Sequence, residues 1–171
     1  VERRFVSNER EQLVVSMGDI VSARLIRRAD ANRTIIDRGM VRLGGGAAGE
    51  PERDGVFVSG MIKSINIDAW LKLLAATGAG GSGAGAGSAT GNMVYTVKGL
   101  DLKLGEFELY DRKFGELAII SQAVTPQTTR YRLIGREVEG IADWTPQGRG
   151  RLVALLQKLT IPLSSSTAAP V

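Results

Sequence analysis

The chain contains no cysteine and no histidine. The first absence removes disulfides, thiolate metal sites and cysteine nucleophiles; the second removes imidazole ligands and every triad or dyad whose base is histidine. Aromatic residues are only 5% of the 171 positions, too few for a thick, well-filled globule but ordinary for a thin, one-sided sheet. Charge of neither sign dominates. The 22 Lys and Arg against 18 Asp and Glu leave +4, spread along the chain without a basic block, so no nucleic-acid partner is expected. No run approaches the ~20 apolar residues that span a bilayer as a helix, and no basic, apolar signal peptide opens the chain. The chain starts at Val1 rather than Met and closes on a small, polar run from Ser164 to Val171. The expectation is therefore an excerpt of a longer protein with a disordered tail over 164–171. Lack of cysteine fits a reducing cytosol or a bacterial periplasm equally.

What is present is mostly strand grammar. Leu13 to Met17 leads to a Gly18-Asp19 turn, and Ile20 to Arg28 then alternates Val21, Ala23 and Leu25 with Ser22 and Arg24, a hairpin pattern. Thr34 to Leu43 is a further strand, stopped by Gly44-Gly45-Gly46. A polar loop follows to Gly55, and Val56 to Ile62 opens the next strand. Ile67, Leu71 and Leu74 recur at helical spacing, with Asn66 or Asp68 available as a cap, so one short helix is expected from Ile67 to Ala76. Residues 1–76 thus form a β-strand segment ending in a helix. Residues 77–92 are nearly all Gly, Ala and Ser and read as a flexible linker. Residues 93–163 resume as a β-meander with runs Met93 to Leu104, Glu106 to Tyr110, Glu116 to Val124, Thr128 to Gly135, Val138 to Trp144 and Arg149 to Ile161. The last run also fits helical spacing at Leu152, Leu155, Leu156 and Leu159; Thr160-Ile161-Pro162 and the preceding glycines favour a strand. The fold class expected is mainly β: an antiparallel meander forming a curved, groove-like sheet with one short helix.

Few motifs carry chemistry. Gly78-Ala79-Gly80-Gly81-Ser82-Gly83 matches G-x-G-x-x-G, but a helix precedes it and a strand follows, the reverse of a dinucleotide site, so the linker reading holds. There is no phosphate loop, nucleophile elbow or S-x-x-K dyad. Asp101 and Lys103 alternate with Leu102 and Leu104, and Glu106 and Glu108 with Phe107 and Leu109, which describes wet and dry strand faces rather than paired acid and base. The shared feature is a dry, aliphatic face. Either it is an ordinary core, or the sheet bends at Gly60, Gly99, Gly105, Gly135 and Gly140 into a trough that stays open to something apolar. A helix of ~10 residues rises only about 15 Å, too little to cover such a sheet, and this favours the trough.

The order of several pieces resembles the YhdP family, AsmA-like proteins. Arg38-Gly39-Met40-Val41-Arg42-Leu43-Gly44 is similar to "RG-x-V-x-LG". Val56 to Ile62 and Ile65 to Trp70 are similar to "GL-x-V-x-G-x-L … LDLDAW", and Leu100 to Leu117 to "LDL-x-[IL]-GEL-x-x-x-GR-x-FG-x-L". Tyr131-Arg132-Leu133 with Val138 to Trp144 resembles "W-x-L-x-L … V-x-G-x-[IL]-x-W", and Arg151 to Pro162 resembles "R-[LV]-x-A-[RH]-L-x-x-L-x-[IL]-P". Tyr131 stands where the family usually shows Trp, and Asp111 where Gly often closes the turn. The resemblance implies the C-terminal portion of an envelope protein anchored in the inner membrane of a Gram-negative bacterium, with its body in the periplasm. It implies conduction of phospholipid toward the outer membrane, no catalytic residue, no metal and no cofactor. The implied partners are phospholipid acyl chains, the remaining N-terminal part of the same protein, and outer-membrane or envelope proteins. The tail-facing candidates are Leu102, Leu104, Phe107, Leu109, Leu117, Ile119, Tyr131 and Leu133. The alternative is a closed β-rich structural or interaction module without lipid transport.

Overall fold

Alternating aliphatic and polar residues fold, in this computed structural model of the protein, into one open, curled sheet, which has twelve strands and one short helix among the described residues. The structure describes residues 2–7, 10–30, 33–69, 72, 93–147 and 150–163. The strands are β1 (Glu2–Ser7), β2 (Arg10–Met17), β3 (Val21–Asp30), β4 (Arg33–Leu43), β5 (Gly55–Asn66), β6 (Met93–Val94), β7 (Val97–Leu109), β8 (Arg112–Phe114), β9 (Leu117–Thr125), β10 (Thr128–Gly135), β11 (Val138–Thr145) and β12 (Arg151–Leu159). Their order across the sheet is β1-β2-β3-β4-β5-β7-β9-β10-β11-β12, with β6 beside β4 and β8 beside β7. The expected linker over 77–92, most of the expected helix and the tail over 164–171 lie outside the described residues.

Most pairs are antiparallel, as the period-two runs and short turns require. The middle departs from a meander: β4 pairs β5, β5 pairs β7 and β4 pairs β6 in parallel. A parallel pair needs a connection long enough to return to the same end of the sheet, and two connections here are long. Residues 44–54 carry the chain from β4 to β5. Their Ala48 N–H donates to Ser22 Oγ at 2.9 Å, Glu50 accepts from Gln12 and Arg24, and Asp54 accepts from Arg38 Nε at 2.8 Å. That loop therefore lies across β2–β4 on the face that bears Ser22. The helix, α1, occupies residues 67–69 and 72. Its first turn is capped by Asn66, whose Oδ1 accepts from Ala69 N at 2.7 Å, resolving the choice between Asn66 and Asp68.

Two glycine expectations need correction. Gly105 does not end a strand: β7 runs through it from Val97 to Leu109, in unbroken register with β5 from Phe57↔Gly99 to Asn66↔Glu108. The turn after Met17 spans three residues, 18–20, closed by Ile20 N donating to Met17 O at 3.1 Å, rather than Gly18-Asp19 alone. The ambiguous last run is a strand, β12. β1 has no counterpart among the expected strands.

Interior volume is scarce. The buried apolar side chains among the described residues are Ala23, Ile36, Ala48, Val56, Leu104, Phe107 and Ala142, and no large side chain is less than 2% exposed. A sheet with a second layer packed across it buries bulky residues completely; this one half-buries them.

Candidate functional site: a one-sided apolar face

Side chains of paired residues in adjacent strands project on the same side, so the register assigns every strand residue to a face. Leu13↔Leu25 and Val15↔Ala23 link β2 to β3, and Ala23↔Val41 and Val21↔Leu43 link β3 to β4. Val41↔Val58 continues into β5, and Val58↔Leu100 and Ile62↔Leu104 continue into β7. Leu102↔Ile119 and Leu104↔Leu117 reach β9; Ile119↔Leu133 and Ser121↔Tyr131 reach β10. Tyr131↔Ala142 and Thr129↔Trp144 reach β11, and Ala142↔Ala154 and Trp144↔Leu152 reach β12. One face is thus aliphatic from β2 to β12 with few polar interruptions. Nine inter-strand steps of ~4.8 Å make the full sheet about 43 Å wide when unrolled.

The other face is of different chemistry. It is mixed: Ser22, Arg24, Arg42, Ser59, Asp101, Lys103, Arg130, Arg132, Glu139 and Asp143 are interleaved there with Met40, Phe57, Met61, Ile120, Ile134 and Ile141. Arg130 and Asp143 sit directly opposite one another on β10 and β11 in a two-pronged pair, Nε–Oδ1 2.7 Å and Nη2–Oδ2 2.8 Å. The hydrogen bond from Arg130 holds the Asp143 carboxyl below the usual carboxylate range. The polar crossover loop 44–54 lies on this charged side. Among the described residues no second sheet covers the aliphatic side.

Of the tail-facing candidates, the structure places Leu102, Leu104, Leu117, Ile119, Tyr131 and Leu133 together on the aliphatic face. Phe107 and Leu109 are on the opposite face, and their assignment is corrected. The reason is the unbroken strand at Gly105: Leu104 and Phe107 are three residues apart, and without a bulge an odd spacing changes sides. Phe107 instead stacks on Phe114 of β8, ring centroids 4.9 Å apart and 6° from parallel, and is one of the few buried side chains. The same parity puts Glu106 and Glu108 on the aliphatic face, where its apolar stretch ends. Tyr131 is half-buried there, and burial pushes its phenol above the ordinary tyrosine range.

Bending is built in by two glycines. Gly60 and Gly140 have φ of 138° and 153°, and a Cβ on them would meet the Leu43 carbonyl oxygen at 2.1 Å and the Leu155 carbonyl oxygen at 2.4 Å. Gly140 also stands at a register shift between β11 and β12, where an extra residue bends the ladder. Near Gly60, Ile20, Leu43, Ile62, Leu102 and Leu104, together with Asp19, Lys63 and Ser64 among others, line an open hollow of about 930 Å³. A second, more polar hollow of about 880 Å³ lies where β8 breaks from β9, lined by Lys63, Gly105, Glu106, Gly115 and Arg136 among others. At that break the Gly115 N–H is satisfied by the Glu137 carboxylate at 3.0 Å, and Arg136 N donates to Glu116 O at 3.1 Å. Local sequence reading missed this side-chain cap because it joins residues 22 apart.

The arrangement offers no cluster of carboxylates placed to hold a metal ion among the described residues. No described helix is long and apolar enough to cross a membrane. No family model, curated protein or solved structure matches the chain. What the site offers is a dry surface: it can cover hydrocarbon along its length while leaving an attached polar group in water.

Proposed function

We propose that this chain is a segment of an inner-membrane-anchored, periplasm-spanning protein that conducts phospholipid between the inner and outer membranes along the aliphatic face of its sheet. The observation that carries the reading is the continuity of that face from β2 to β12, half-exposed and without a second sheet over it among the described residues. The motif order shared with the YhdP family supports the same reading. Acyl chains exposed to water cost about 25 cal/mol per Å², so a continuous trough lowers the barrier to moving a lipid by keeping its tails covered. Rate then depends on continuity, and catalytic residues and cofactors have no part in it.

The test is lipid carriage. Mass spectrometry of the purified chain is expected to find co-purified phospholipid, and a sealed structural module would carry none. In the full-length protein, Leu102→Asp and Leu133→Asp are expected to block transport while secretion stays intact. Leu104 is 8% exposed, so Leu104→Asp tests folding as much as transport. Transport that survives both trough substitutions refutes the proposal.

A further inference from the structure

The aliphatic face has a polar end, and the register locates it. Past Ile62↔Leu104 and Leu104↔Leu117, the next residues on that face are Ser64↔Glu106, then Asn66↔Glu108, with Lys113 of β8 opposite Glu108 on the far side of β7. Apolar contact gives way within one alternation to a hydroxyl, an amide, two carboxylates and an ammonium. Two strand steps of about 4.8 Å separate Asn66 from Lys113, and two residues of about 3.4 Å each separate Glu106 from Glu108, so these groups frame a patch of about 10 by 7 Å. They line a hollow of about 150 Å³.

Opposite charges facing each other across a ladder stabilise it when they pair. Arg130 and Asp143, placed in this way on β10 and β11, do pair. Glu108 and Lys113 face each other too, yet among the described residues no ion pair or hydrogen bond joins the side chain of either, or that of Glu106, to another group. Both signs of charge are therefore open to a ligand in one hollow. A phosphate at Lys113 gains a charge-assisted contact, but by itself it also lies against two carboxylates. A primary ammonium has three N–H donors, and the two carboxylates with the Ser64 hydroxyl offer an acceptor for each. Asn66 takes no part in that set, since its Oδ1 already accepts from Ala69 N. A molecule that carries phosphate and ammonium a short link apart, with hydrocarbon attached at the phosphate, satisfies the hollow and the apolar surface beside it.

We propose that this hollow seats the headgroup of an aminophospholipid, with its phosphate at Lys113, its ammonium among Glu106, Glu108 and Ser64, and its acyl chains running onto Ile62, Leu104 and Leu117. An anionic headgroup such as phosphoglycerol presents no cation to the two carboxylates and is disfavoured, so selection works by repulsion as well as attraction. A choline headgroup keeps its positive charge but has no N–H to donate, and it falls between. The inference rests on the trough reading and adds to it a preference among headgroups, which a bare hydrocarbon surface lacks because hydrophobic contact is non-directional.

Displacement separates trough from seat. A fluorescent long-chain alcohol carries no charge and reports on the trough alone. Dioctanoyl phosphatidylethanolamine, phosphatidylcholine and phosphatidylglycerol, kept below their micelle concentrations, then compete with it for the unaltered chain. The ethanolamine lipid is expected to compete about fivefold better than the glycerol lipid, the size of effect that one exposed charge contact supplies, and added salt should shrink the difference. Glu106→Gln with Glu108→Gln, at positions that are not buried, should bring the two lipids within about twofold while alcohol binding and the circular dichroism spectrum stay unchanged. Lys113→Gln should weaken both lipids alike and spare the alcohol. Equal competition by the ethanolamine and glycerol lipids on the unaltered chain, or a preference that survives the double substitution, overturns the headgroup seat and leaves the trough standing. Failure of the alcohol and of every lipid to bind overturns trough and seat together.

Discussion

Leu133 and Ile134 are neighbours on β10 that face opposite sides of the sheet, and this makes them a matched pair for the groove reading. Leu133 is half-buried on the aliphatic face between Ile119 and Gly140; Ile134 is 48% exposed on the other, between Ala118 and Glu139. Aspartate at 133 would put an ionised carboxylate beneath any hydrocarbon lying in the trough. The effective penalty of covering an unpaired ion is several kcal/mol; taking about 3 kcal/mol, affinity for an acyl chain should fall by about a hundredfold. Aspartate at 134 stays in water and should leave affinity within about twofold. Titration of each variant with a fluorescent long-chain lipid measures both. Because the penalty belongs to the charged form, the Leu133→Asp defect should shrink as pH falls through the carboxylate range, while binding to the Ile134→Asp chain stays flat. Leu109→Asp should behave like Ile134→Asp, since Leu109 shares its side. Equal losses at 133 and 134, or a loss at 109 matching that at 133, would refute the facial assignment and the groove with it.

Other perturbations test the fold. Gly60→Ala should cost on the order of 3 kcal/mol, from a Cβ driven into the Leu43 carbonyl and an unfavourable positive φ, and lower the melting temperature by about 10 °C. Tyr110 and Asp111 both have positive φ, 52° and 56°, in the two-residue turn from β7 to β8. Replacing them with Asn-Gly should stabilise the chain by about 1–2 kcal/mol in urea unfolding, because that dipeptide suits a turn with two left-handed residues. Asp143 has its carboxyl held low by Arg130, so its contribution is present above the unfolded value near ~3.9 and is lost as pH falls through the lower folded value. Asp143→Asn should therefore flatten the acid limb of stability against pH; an unchanged slope would mean that the pair seen in the structure is idle in solution.

The strands were legible because period two is a local property; which of the two alternating sets is the dry one was not, where both hold apolar residues, as at Ile119 with Ile120 and Leu133 with Ile134. Nor was the way strands neighbour one another. Residues 44–54 read as a loop, but nothing in their composition says that the chain returns parallel, since pairing partners are set across the sheet rather than along it. The misplacing of Phe107 and Leu109 had a signal: apolar residues at 104 and 107 cannot share a side of an unbroken strand. Treating Gly105 as punctuation hid it, because glycine in a strand interior can equally mark a close approach. Here the Lys63 carbonyl oxygen lies 2.5 Å from where its Cβ would be. Contacts such as Glu137 with Gly115 and Arg130 with Asp143 join residues 22 and 13 apart and had no local signature. The cap on the helix did, because Asn66 and Ala69 are three residues apart.

A sheet whose bulkiest described side chains all keep some contact with solvent has its hydrophobic interior unfinished among the described residues. In the proposed conduit, acyl chains lying along the open side would complete that interior from outside. The empty and filled forms should accordingly differ in heat capacity and in amide exchange across the middle strands, much as a partly folded and a folded protein do, although every strand would stay where it is.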